Sequence, residues 1–233
     1  MNDFVREKSD YEIEGLQRSF INKVFLWMAI ALSFTGVVSL YTVNSPWLLR
    51  FIFSSNITFS ALIGLEFFAV WKLTRSLSTM SAAKASIGLV LYSVLNGLTL
   101  SSIFLMYTSS SIAMVLFISA GMFGSMFMIG MTIKADLSKM RSILFMGLIG
   151  IILASVANIF MRSSFMYTAI SYIGVLIFCG LTMYDASKLK AISLRGINND
   201  ELMQKYVIAG ALMLYLDFIN LFLFLLRIMG RRK

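Results

Sequence analysis

The sequence predicts an all-α, polytopic membrane protein, and three observations carry that prediction. Of 233 residues, 59% are hydrophobic and 13% charged, too few charges to cover the surface of a soluble domain of this length. The mean hydropathy is +0.85, so the solvent for most of the chain is lipid. A bilayer core takes about 20 apolar residues per helix, and apolar runs near that length recur along the chain with short connections and a single proline, Pro46. What is left over has no room for a soluble catalytic module.

The first 23 residues, MNDFVREKSDYEIEGLQRSFINK, hold nine charges and lack the apolar core of a secretion signal. They read as a cytoplasmic arm, with a transmembrane domain over residues 24–230. Seven apolar segments fill that domain, at about 24–43, 57–71, 85–107, 112–133, 143–161, 165–184 and 206–226. Each is expected to be a helix, because backbone groups in hydrocarbon must bond within their own segment. The second segment is the shortest. The third contains Asn96 and the fifth Asn158, two polar groups at membrane positions that read as interhelical hydrogen bonds. In the fourth, Ala120 with Gly124 and Gly121 with Ser125 form small pairs four apart; Gly147 and Gly150 lie in the fifth. Such residues favour close helix contacts. The sixth carries the single cysteine, Cys179, which excludes a disulfide framework and reads as packing.

The net charge of +9 is explained by topology rather than by a nucleic-acid patch. Arg6, Lys8, Arg18 and Lys23 lie in the arm. The even-numbered connections hold Lys72, Arg75 and Lys84, then Lys134, Lys139 and Arg141, then Lys188, Lys190, Arg195 and Lys205. The odd-numbered ones hold only Arg50 and Arg162. That excess predicts a cytoplasmic amino terminus. Seven crossings then put Arg227, Arg231, Arg232 and Lys233 on the face that cations avoid. Either the last segment is re-entrant or the tail crosses despite its charge.

The chain has no histidine, which removes Ser-His hydrolysis, His-ligated metals and imidazole proton relays. No glycine-rich phosphate loop is present. Neither an enzymatic activity nor a cofactor is expected, and carboxylates are the chemistry that remains. Asp3, Glu7, Asp10, Glu12 and Glu14 belong to the arm, and Asp136, Asp200 and Glu201 to loops, where they read as solvation. Glu66, Asp185 and Asp217 fall at membrane positions. An ionisable group at mid-helix costs roughly 2.5–3.5 kcal/mol to insert, so it faces a partner or a water cavity and marks an ion or proton path. The alternative is a neutral aspartic acid hydrogen-bonded across helices as glue. On the last segment Gly210, Met213, Asp217, Asn220 and Phe224 recur at three and four residues and share one face. Asp217 lies about 18 Å along the helix from Lys205, well inside the bilayer. By depth, Asp185 and Asp217 meet only if the sixth helix ends near Lys190 and the seventh begins beyond Lys205.

The runs GLTMYDASKLK, ALMLYLDFINLFLFLLRIMG, IKADLSKM and LVLYSVLNGLTLSSIF together resemble the Bax inhibitor family, the transmembrane BAX inhibitor motif superfamily, in its bacterial branch. The resemblance spans residues 16–230 and is most specific at LYLDFINLF. It implies six helices around a central seventh, in a bacterial inner membrane. It also implies a calcium-permeable leak pathway controlled by pH. Family members hold an aspartate pair on the sixth and seventh helices, matching Asp185 and Asp217, which share a proton in the closed state. A basic residue at the cytoplasmic end of the second helix latches onto the pair; Arg75 is the first candidate and Lys72 the second. Glu66 falls where the family tends to carry a second-helix acid. The physical chemistry agrees with that expectation. Two carboxylates in one low-dielectric site do not both ionise easily and titrate as a unit, and hard oxygen ligands suit Ca²⁺. The expected partners are therefore the lipid bilayer, Ca²⁺ and H⁺.

Two other readings compete. Intramembrane aspartyl proteases place YD on one helix and GxGD on the next; MYD at 183–185 fits the first, but LYLD at 214–217 has no glycine and no Pro-Ala-Leu follows. Proteolysis is disfavoured on those grounds. The second alternative is a non-conducting regulator that binds other membrane proteins or a membrane protease.

Overall fold

Backbone in lipid has no water to bond, and the computed structural model meets that constraint with eight helices. In order they are α1 (Asn2–Val43), α2 (Pro46–Phe53), α3 (Asn56–Ser76), α4 (Ala82–Met106), α5 (Ser109–Thr132), α6 (Ser138–Met161), α7 (Ser164–Ser193) and α8 (Asp200–Met229). The structure describes residues 2–77, 79–133, 137–194 and 199–233, with side-chain surroundings from residue 14 onward except at 138 and 139. The expected loop charges Lys134, Asp136 and Arg195 lie outside the described residues. So do the side chains of Asp3, Arg6, Glu7, Lys8, Asp10, Glu12 and Lys139.

Seven of these helices are long and apolar enough to cross a membrane, and they match the seven expected segments. The molecule is an integral, polytopic, all-α membrane protein. The ends differ in instructive ways. The arm and the first span form one continuous helix of 42 residues. α2 was not expected. Its eight residues, PWLLRFIF, are too few to span, but they make about two amphipathic turns with Pro46 in the first, where its missing N–H is harmless. Ile52 is buried, while Trp47 and Phe51 stack at 6.0 Å on the exposed face, as suits a helix lying at a membrane surface. α8 starts six residues before the apolar run does, on Asp200 and Glu201, whose charges favour a helix amino terminus.

Two compact units are present: Met1–Met106 with Lys190–Leu212, and Tyr107–Leu189 with Met213–Lys233. In the first, α1 packs along α4 through small and hydroxyl residues. Thr35 Oγ1 donates to the Ser93 carbonyl at 3.0 Å, and Ser39 Oγ to the Gly97 carbonyl at 2.7 Å. Gly97 is required there, since a Cβ would stand 2.8 Å from the Thr35 carbonyl oxygen. α3 rests on α4 where Leu73 covers Gly88.

In the second unit α5 reaches α7 at Gly130, which lies under the Met183 carbonyl and 2.8 Å (as a Cβ) from Ala186. α6 and α7 run antiparallel, Leu144 filling the space at Gly180 and Ile177 that at Gly147. From α8, Phe224 fits against Gly174 and stacks on Phe178 at 5.8 Å, and Phe218 meets Phe123 edge-on at 5.5 Å. The small pairs expected on α5 do not make these contacts: Gly121 and Gly124 have open space beside them, as does Gly150 on α6. Close packing needs a partner backbone as well as a small residue, and only the former is invisible in a spacing pattern. Asn158 likewise makes no interhelical bond among those described. It sits one turn from the end of α6, and its Oδ1 accepts from Ser163 N at 2.9 Å, closing a turn in which Arg162 has φ 50°.

α8 is the most enclosed span, with 72% of its most apolar stretch buried against 6–39% in the other six. It is one continuous helix of 30 residues. Beyond Met229 the tail folds back on residues 107–111: Thr108 N donates to the Arg231 carbonyl at 3.1 Å and Arg231 N to Ser111 Oγ at 3.0 Å.

Candidate functional site

Asp217 lies in the enclosed middle of α8, where tight packing on both sides leaves it 5% exposed. Asp185 is half-buried on α7, near enough to Asp217 for the two carboxyl groups to act on each other electrostatically. Carboxylates only accept, so a hydrogen bond between them would need a shared proton. Asp217 Oδ2 is buried with no hydrogen-bond partner among the described residues. Leaving such an oxygen unpaired is expensive unless a proton or cation uses it.

The depth expectation was wrong about what the pair requires. α7 continues to Ser193 and α8 begins at Asp200, before Lys205, yet the carboxyls adjoin. A helix start does not mark the membrane edge. In fact the first turns of α8 are a polar extension, with Glu201 exposed and paired to Lys205 at 3.8 Å.

Lys188 and Arg141, expected only as topological charges, belong to the surroundings of this site. Lys188 follows Asp185 by one turn, and its Nζ donates to the Met213 sulfur at 3.5 Å. Met213 is one turn before Asp217 on α8. Lys188 and Arg141 both act electrostatically on Asp185. Packing explains Arg141: α6 meets α7 at 144 with 180 and at 147 with 177, so one more step puts Arg141 opposite Met183, two residues from Asp185. The spacing of Lys188 could have been read from the chain, whereas Arg141 needs the helix register.

The remaining expected residues are placed as follows. Asn220 is half-buried on α8 and its amide donates to the Leu216 carbonyl of its own helix at 2.8 Å. Glu66 is half-buried on α3 and accepts from the Asn96 amide, the interhelical bond expected of Asn96. That pair belongs to the first unit and the aspartates to the second. Arg75 and Lys72 are exposed in the last turns of α3, with the Arg75 guanidinium 5.3 Å over the Trp71 ring. Among the described residues no three acids, cysteines or histidines gather as a metal cage. Two carboxyls are few oxygens beside the six to eight that hold Ca²⁺ tightly.

A family profile described as "Inhibitor of apoptosis-promoting Bax1" matches residues 17–233. The chain is 42% identical over 237 residues to a protein of Escherichia coli K12 named inner membrane protein YbhL, covering 100% of each. An uncharacterized protein of Borreliella burgdorferi is 40% identical over 233 residues, covering 100% of this chain and 99% of its own. One from Deinococcus radiodurans is 36% identical over 215 residues, covering 92% and 91%.

Proposed function

The chain belongs to the Bax inhibitor family, and from that premise we propose that it is a pH-sensitive, calcium-permeable leak pathway gated by Asp185 and Asp217. The observation that carries the reading is the buried Asp217 carboxyl, beside Asp185 and unpartnered at Oδ2 among the described residues. A shared proton satisfies the pair and closes the path. Its loss leaves two carboxylates that repel each other and attract a hard cation, which is a two-state element responsive to pH. Arg75, with Lys72 as the alternative, is the latch of the closed state. The protein is not an enzyme on this reading and needs no cofactor. It works in a bacterial inner membrane with its amino terminus in the cytoplasm.

The test is dye-reported Ca²⁺ entry into proteoliposomes against pH, for wild type, Asp185→Asn, Asp217→Asn and the double variant. Wild type exceeds empty liposomes and responds to pH. Each single variant loses most of that response, and the double variant adds little because coupled groups are non-additive. Arg75→Ala raises the basal leak. Wild-type flux equal to that of empty liposomes at every pH defeats the channel reading and leaves the non-conducting regulator. Two independent, additive shifts in pH response defeat the shared site alone.

A further inference from the structure

The cationic tail that seven crossings place against the usual charge bias is a built structure. Its backbone is fixed at Arg231 by the bonds to Thr108 and Ser111, and Arg232 forms an antiparallel bridge with Tyr107. Gly230 is needed for the fold-back, because a Cβ would press on the Tyr107 ring. The Arg232 guanidinium donates to the Tyr167 hydroxyl at 3.4 Å, and that of Arg227 lies 5.7 Å over the Tyr167 ring and 5.1 Å over the Phe224 ring. Burial holds the Tyr107 hydroxyl protonated above its ordinary range, and hydrogen bonds to Tyr107 and Tyr167 hold Arg232 still more firmly charged. The cluster is cationic at every physiological pH.

Residues 107–111, 162–168 and 227–233 contain Arg162, Arg227, Arg231 and Arg232 and no Asp or Glu. The side chains of Arg227, Arg231 and Arg232 are exposed. They stand at the end of a membrane span, beside two tyrosines, which is the depth of the headgroup layer. A guanidinium offers a planar fork of five donors suited to phosphate, and hydroxyl contacts to Arg232 leave donors over.

We propose that this folded-back tail, with Arg227, is a binding site for the phosphate of an anionic phospholipid headgroup. A lipid fits better than a free phosphate ion because its acyl chains hold the anion at that depth, against the exposed Met114, Leu116 and Phe117 of α5. The site also accounts for the placement of Arg227, Arg231 and Arg232 where topology disfavours them: the charge is neutralised in place.

The experiment uses the full chain and needs no ion flux. Native mass spectrometry measures lipid retained by protein purified from vesicles of phosphatidylcholine with phosphatidylglycerol, for wild type, Arg231→Gln/Arg232→Gln and, as a control elsewhere, Arg50→Gln. The bonds that fix the tail at Arg231 are main-chain, so Arg231→Gln alone serves if the double variant unfolds. Wild type and Arg50→Gln are expected to retain phosphatidylglycerol in preference to phosphatidylcholine, with that preference falling about fivefold for each guanidinium removed. Equal preference in wild type and in the tail variants overturns the site. Displacement of the lipid by millimolar inorganic phosphate overturns the lipid assignment.

Discussion

Lys188 sits where a cation bound for the aspartates would feel it. Its ammonium lies on the Met213 sulfur, one turn from Asp185 on α7 and one turn from Asp217 on α8. A fixed positive charge at such a place raises the barrier to any other cation. Lys188→Gln is therefore expected to raise Ca²⁺ entry severalfold, and Lys188→Arg to leave it near wild type, measured by dye in proteoliposomes. Unchanged flux in Lys188→Gln removes the lysine from the path. The aspartates themselves were legible in the chain, since a carboxylate in an apolar run has few structural excuses. Their juxtaposition was not legible from depth, because charged residues at a helix start do not mark where lipid begins. Arg141 was hidden for a different reason. It is carried to Asp185 by the Leu144–Gly180 and Gly147–Ile177 contacts, and helix register leaves no trace in the spacing of one segment.

At the scale of elements, glycine decides how near α5 comes to Asp185. A Cβ on Gly130 meets the Met183 carbonyl and Ala186 Cβ, and neither a helix backbone nor a β-carbon can swing aside. Gly130→Ala should destabilise by about 1–3 kcal/mol, the range for overpacking, while Gly121→Ala, with open space around it, should be neutral or slightly stabilising. Thermal unfolding of both variants in one detergent checks this; equal midpoints would show that α5 yields. The seven spans were plain from hydropathy, which needs only length and composition. α2 escaped because eight residues fall below the spanning threshold and its signal is a single amphipathic face. Asn158 was misplaced for a related reason: a polar residue near a helix end serves its own turn before it serves a neighbour.

For the whole molecule, seven helices long enough to cross a membrane are an odd number, and if all cross, the two termini are expected on opposite faces. With Cys179 replaced by Ala, a single cysteine at Ser110 or at Lys233 should react with an impermeant maleimide from the same face, and one at Ser81 only from the other. Labelling of Ser110 and Lys233 positions from different faces would refute the fold-back. The same fold-back has a consequence for how the protein is made. The second unit contains residues 107–189 but is completed only by 213–233. During translation Asp185 enters the membrane before its neighbour Asp217 has left the ribosome. For that interval a lone carboxyl is held in lipid, at roughly 2.5–3.5 kcal/mol. The bonds that secure residues 107–111 come from residues that follow the last apolar helix, so that contact forms only once all seven have been made. A variant lacking residues 231–233 is expected to keep its seven helices and to lose that fastening.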